Sequence, residues 1–180
     1  MSIGIFTPEV PVANDILLGE GTVYVNYGVA GEAIIGATEG GSKFVIQRKV
    51  IDMKYDGAYG PTKSLKRVDL FIPQLIINFL KLNYTTLGYG VPSTVATYTT
   101  YKEFTFDLDI VAADVLTNVA FIGQKHDGKA VKIIVQNCIN DGNISLNFKE
   151  KTQVTSDMQY TGHYAAATPT TPPFEFREYV

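Results

Sequence analysis

One cysteine and two histidines are the residues of this chain best suited to nucleophilic or metal chemistry, and their spacing does not bring them together. A catalytic triad needs a Cys or Ser beside a His and an acid. His126 falls in Lys125-His126-Asp127-Gly128-Lys129, whose Asp-Gly pair signals a hairpin turn. His163 stands next to a C-terminal arm. Cys138 lies inside the apolar run 130–139, where a thiol behaves as a small hydrophobe. No His and Cys set has the spacing of a zinc site. Asn140-Asp141-Gly142-Asn143 has the look of a calcium loop but lacks its alternating ligands and closing Glu, so it reads as a turn. The glycine-rich stretch from Gly36 to Gly41 lacks the Lys-Ser/Thr ending of a phosphate loop. Asn83-Tyr84-Thr85 and Asn143-Ile144-Ser145 match the glycosylation acceptor pattern, but no signal peptide is read ahead of them. Basic residues interleaved with aromatics between Lys43 and Lys54 are cut by Asp52 and Asp56, a poor match to a single-strand-binding surface. The expectation is a protein that is not an enzyme and that uses no metal and no cofactor.

The carboxylates make a sharper pattern. From Tyr101 to Ile110 the residues alternate, with Lys102, Phe104, Phe106, Leu108 and Ile110 on one face of a strand. Tyr101, Glu103, Thr105, Asp107 and Asp109 occupy the other. The apolar face is expected to be buried. The acidic one is either the wet side of an antiparallel sheet or a wall that repels phosphate, so that a polyanion slides past without sticking. A second polar row, Gln153, Thr155, Asp157, Gln159, Thr161 and His163, stands opposite Val154, Ser156, Met158 and Tyr160 and carries the same two readings.

The elements that must hold these rows are strands. Eleven Tyr, ten Phe and many Val, Ile and Thr favour sheet over helix. With 46% hydrophobic and 18% charged residues in 180, one domain with a real core is affordable. A net charge of -3 is no nucleic-acid clamp, and a single cysteine makes no intrachain disulfide. The longest apolar run, 71–82, is interrupted by Pro73, Asn78 and Lys81 and falls short of the roughly 20 residues of a membrane helix. A soluble protein made in the cytoplasm, with no membrane binding, is expected.

Along the chain, residues 1–20 read as an N-terminal arm, 21–164 as the β domain and 165–180 as a C-terminal arm. Strands are expected over 22–26, 32–35, 43–55 (as one or two), 68–82 with Pro73 at a bend or edge, 99–110, 118–124, 130–139, 144–150 and 153–164. The helix candidates, 84–89 and 112–116, are short. After Pro169, Pro172 and Pro173 the tail carries aromatics at Phe174, Phe176 and Tyr179, which suggests docking on a neighbour. Many short strands with regular turns indicate a sandwich or barrel.

Five segments in order resemble the tail tube proteins of long-tailed, siphovirus-type bacteriophages. They are 36–41 with the strand after it, Asp56-Gly57-Ala58-Tyr59-Gly60-Pro61-Thr62-Lys63, then Leu116-Thr117-Asn118-Val119-Ala120-Phe121-Ile122-Gly123. The last two are 135–143, ending in Asp-Gly-Asn, and Tyr160-Thr161-Gly162-His163-Tyr164 followed by Pro172-Pro173-Phe174-Glu175-Phe176-Arg177. The segment 84–93 departs from that family, being Gly- and Tyr-rich where the family is better helical, and 1–20 matches nothing in it.

The resemblance implies a mainly β, two-sheet β-sandwich with a small flanking helix and extended arms. Six copies would form a ring whose sheets join in an inner β-barrel, and rings would stack into the conduit for DNA ejection. Partners would be other copies of the chain, the tape-measure, tail-terminator and distal tail or tip proteins, and double-stranded DNA in transit. The location would be the virion tail, assembled in the host cytoplasm. In that frame loop 56–66, with Asp56, Gly57, Gly60, Pro61 and Lys63, becomes an inter-ring loop. Phe174, Phe176 and Tyr179 become arm contacts, and Glu103, Thr105, Asp107 and Asp109 the lumen candidates. Two alternatives stand beside it: the inner tube of a contractile tail or tail-like bacteriocin, and a carbohydrate- or surface-binding β-sandwich.

Overall fold

A computed structural model describes residues 17–35, 38–57, 59–80, 83–146 and 155–179. The first sixteen residues of the N-terminal arm, Gly36, Ala37, Ala58 and the strand expectations over 147–154 lie outside the described residues. The fold is mainly β, with one α-helix and antiparallel pairing throughout. In chain order the strands are β1 Leu17–Val25, β2 Ala33–Ile34, β3 Thr38–Asp52 and β4 Lys66–Phe79. Helix α1 (Tyr84–Gly90) is followed by β5 Ser93–Thr97, β6 Lys102–Phe106, β7 Leu116–Lys125, β8 Ala130–Asn140, β9 Ser156–Gly162 and β10 Phe174–Glu178.

Eight strands form one sheet in the order β2-β1-β7-β8-β9-β4-β3, with β10 attached to β8, and β5 with β6 form a separate two-stranded ribbon. Local chemistry explains the joints. Asn26 leaves β1 at φ 51, a conformation Asn tolerates. The Asn118 side chain closes the turn that follows, accepting from Tyr27 N at 2.7 Å and donating to Tyr27 O at 3.1 Å. Between β7 and β8 the Asp127-Gly128 turn forms as read, with Gly128 at φ 85 and Asp127 accepting from Lys129 N. Asn83 caps α1 by accepting from Thr86 N at 2.8 Å, which lets a Gly- and Tyr-rich segment start a helix.

β8 serves two partners along one edge. β10 pairs with residues 131–135 and β9 with 138–140. The hand-over falls at Asn137, at φ 50, where Gln136 N donates to Pro173 O at 2.8 Å and Asn137 Nδ2 donates to His163 O at 3.1 Å. The core draws on both ends of the sheet. Val23 and Val25 of β1 and Ile35 share one cluster with Leu75, Ile77 and Phe79 of β4 and Met158 and Tyr160 of β9. Strands far apart in the order therefore meet, and the sheet must curl over this cluster.

The C-terminal segment pairs within its own chain, while Phe176 and Tyr179 stay exposed. Phe174, Phe176 and the residues between and after them to Glu178 form β10 on β8 of their own chain, and Phe174 stacks on Phe71 at 5.8 Å. Hydrogen-bonding groups left open along β8 beyond the reach of β9 attract this strand, a pairing that local alternation does not reveal.

Candidate functional site

The chemically capable side chains stay apart. Cys138 is buried, its Sγ donating to Val135 O at 2.9 Å, and burial pushes its thiol up from near 9 to about 12. At pH 8 that leaves on the order of one thiolate in ten thousand. A soluble thiol reagent is therefore expected to label Cys138 only after denaturant is added. Rapid labelling of the folded protein, read by intact mass, would contradict the packing. His126 is exposed in its turn, and His163 is exposed with Nδ1 3.0 Å from Asn137 O. Among the described residues no three His, Cys, Asp or Glu side chains gather as metal ligands, and no helix is long and apolar enough to cross a membrane.

Geometry concentrates instead on surfaces. β9 covers β4 only from Gln74 to Phe79. On the near side of Gln74, β3 is the only strand paired with β4 among the described residues, and the two continue together to Asp52 and Lys66. Pro73 sits at this boundary, so the expected edge position holds on one side of the strand. The projecting hairpin is exposed on both faces and carries Ile46, Val50, Ile51, Val68 and Leu70 into solvent. Two ion pairs, Lys49 with Asp69 at 2.9 Å and Lys66 with Asp52 at 3.4 Å, clamp it. Its tip holds the expected inter-ring loop: Asp56, Gly57, Gly60, Pro61 and Lys63 are all exposed, and Asp56, Gly57, Gly60 and Pro61 line an open cleft of about 670 Å³ with Met53, Tyr55 and Tyr59.

The acidic face differs from its sequence reading. The strand spans only Lys102–Phe106, so Glu103 and Thr105 lie on it while Asp107 and Asp109 follow it. Asp107 N turns back to donate to Pro92 O at 3.0 Å. The opposite face is not buried: Phe106 is 57% exposed, Leu108 99% and Ile110 67%. The continuous face that made Glu103, Thr105, Asp107 and Asp109 a wall is absent, and the ribbon stands outside the large sheet. Its partner β5 escaped the sequence reading because Ser93-Thr94-Val95-Ala96-Thr97 has no burial pattern to reveal it.

The second polar row holds only in part: Gln153 lies outside the described residues, and Thr161 is buried. On β9, Ser156, Met158 and Tyr160 are buried while Asp157 is exposed. Thr161 donates to Asp141 Oδ1 at 2.6 Å and accepts from Gln74 Nε2 at 3.2 Å, and Gln74 accepts from Gln47 at 2.8 Å. This amide and hydroxyl chain, with Gln74 and Thr161 buried, ties β3, β4 and β9 together.

The sheet ends in open edges. Beyond β4, fifteen-residue β3 has no further partner among the described residues, and at the other end β2 pairs only with Tyr24 and Val25 of β1. Compared with known families and curated proteins, the chain matches no family model and no curated protein.

Proposed function

We propose that this chain is a structural subunit of a bacteriophage tail tube, of the long-tailed, siphovirus type. Copies join edge to edge into hexameric rings, and the rings stack into a conduit for DNA. The observation that carries this reading is the pair of edges, open among the described residues, at opposite ends of one antiparallel sheet. A long strand with unpaired N–H and C=O groups is a template for another strand. A joint between two different edges, repeated by rotation, closes into a ring and leaves no edge behind. The ordered resemblance of five sequence segments points to the same assembly. In it the curled sheets complete a two-layered, sandwich-like wall around an inner barrel. Tape-measure, terminator and tip proteins would set the length and the ends, and the assembled tube would belong to the virion. The inner tube of a contractile tail would use the same edges and would differ by a sheath around it.

The test is electron microscopy of the concentrated purified protein together with light scattering. Hollow striated tubes or six-fold rings are the expected result. A monomer at every concentration, including in the presence of tail-tip extract, would overturn the reading and favour a monomeric glycan-binding module.

A further inference from the structure

The chain separates its charges. Between Lys43 and Asp69 stand seven Lys and Arg residues against Asp52, Asp56 and Asp69, a net of +4. The whole chain carries -3, so the remainder carries -7. The two ion pairs within the hairpin consume Lys49 and Lys66. Among the described residues Lys43, Arg48, Lys54, Lys63 and Arg67 pair with no carboxylate. The ribbon is the reverse. From Ser93 to Asp114 it has Glu103, Asp107, Asp109 and Asp114 against Lys102 alone. Lys102 is held 3.5 Å over the Tyr84 ring, and Asp114 is used by Val111 N at 2.7 Å. Glu103, Asp107 and Asp109 have no cationic partner among the described residues.

Both surfaces are also apolar where they are exposed. Val50, Val68, Leu70 and Met53 on the hairpin match Val95, Phe106, Leu108 and Ile110 on and beside the ribbon. Apolar patches rimmed by charge mark protein contacts, and opposite potentials select which patches meet. The chain enters β4 from the hairpin tip at Lys66 and leaves it at Phe79 for α1 and the ribbon. Gly90 O, at the end of α1, accepts from Asn140 Nδ2 at 2.9 Å, which places the start of the ribbon at the level of Tyr160 and Leu75. The strand from Leu75 back to Lys66 spans roughly 30 Å, so a head-to-tail neighbour, not a fold-back within one chain, brings the surfaces together.

We infer that the basic β3–β4 hairpin of one subunit docks on the acidic, apolar β5–β6 ribbon of a second copy in the next ring. Glu103, Asp107 and Asp109 then serve stacking and do not line a lumen. The inference rests on the tail tube reading, and it adds the surface that receives the hairpin and the charge code that sets polarity along the tube.

A charge-swap series tests it on the full chain. Arg48→Glu with Arg67→Glu, and separately Glu103→Lys with Asp107→Lys, reverse exposed residues whose side chains no core contact requires. Each pair is expected to raise the concentration at which tubes form by about ten-fold or more, because like charges now face each other. Combining both pairs is expected to restore assembly to within about three-fold of the starting protein. Assembly of the unaltered chain weakens as salt rises past the screening range, with a Debye length of about 3 Å at 1 M. If the unaltered chain forms tubes and the single reversals assemble as it does, or the combination fails to restore, the docking is wrong and the tube reading survives. If hairpin reversal removes only retention of duplex DNA on a filter, the basic arm serves nucleic acid and the docking is again wrong. If the unaltered chain forms neither rings nor tubes, both fall.

Discussion

Stopping the chain after Pro173 is expected to lower its melting temperature by about 8–16 °C and to leave a protein prone to aggregate. The deleted β10 pairs with five consecutive residues of β8, from Phe174 opposite Val135 to Glu178 opposite Val131. Phe174 also fills the angle between Phe71 and Phe44, with ring centroids 5.8 and 5.6 Å away. Full burial of such a side chain contributes about 1.5–3 kcal/mol, and half-buried Phe174 supplies part of that. The Lys125–Glu178 pair at 2.5 Å and the Gln136–Glu175 bond at 2.8 Å add smaller, partly screened increments. A total on the order of 4 kcal/mol is a large part of the 5–15 kcal/mol by which a domain is stable, and each kcal/mol shifts the midpoint of a domain this size by about 2–4 °C. Aggregation follows from the bare edge: residues 131–135 of β8 would present unpaired backbone to any passing strand. Calorimetry and light scattering on the two lengths decide it. Equal melting would mean that β10 is not held by its own chain and is available to a neighbour.

The comparison of sequence with structure separates what is local from what is not. The β7–β8 hairpin was legible because Asp127 and Gly128 supply both the side-chain acceptor and the positive φ that the turn demands. β4, β9 and the second half of β1 were legible because their apolar alternation matches a face that is in fact buried, as Leu75, Ile77 and Phe79 show, whereas the first residues of β1, from Leu17, fell in the expected N-terminal arm. The same alternation misled over 99–110. Phe104, Phe106, Leu108 and Ile110 repeat at every second position, yet the strand stops at Phe106, Phe104 is only half-buried, and Phe106, Leu108 and Ile110 stand exposed. Alternation reports which residues share a face and is silent about whether anything packs on it. β10 was missed for a different reason. Its partner lies 39 residues away, measured from Glu175 to Gln136, and the choice between its own β8 and a neighbour's is made by hydrogen-bonding groups that no local pattern encodes. The candidate surfaces were legible only as charge: the basic stretch around the Gly-Pro loop and the acidic one after Tyr101 are plain in the sequence, but their separation along β4 requires the topology.

Replacing Gly162 by valine is expected to destabilise the domain by about 3 kcal/mol or more. Gly162 ends β9 opposite Cys138, where β8 passes from β10 to β9. A Cβ there would lie 2.6 Å from Val135 Cγ1, 3.1 Å from Pro73 Cγ and 3.2 Å from Pro173 O. None of these can retreat. Val135 is fully buried, Pro73 is a rigid ring in β4, and the Pro173 carbonyl is committed to Gln136 N at 2.8 Å. The strain must therefore open the junction of β4, β8, β9 and β10, and alanine at this position should already cost about 1–3 kcal/mol. Gly60→Ala is the control: nothing lies within 4 Å of its would-be Cβ, so its effect should stay within about 0.5 kcal/mol. Denaturant midpoints for the three variants make the comparison. A Gly162→Ala midpoint no lower than that of Gly60→Ala would mean that the four strands are not packed as tightly as their contacts indicate.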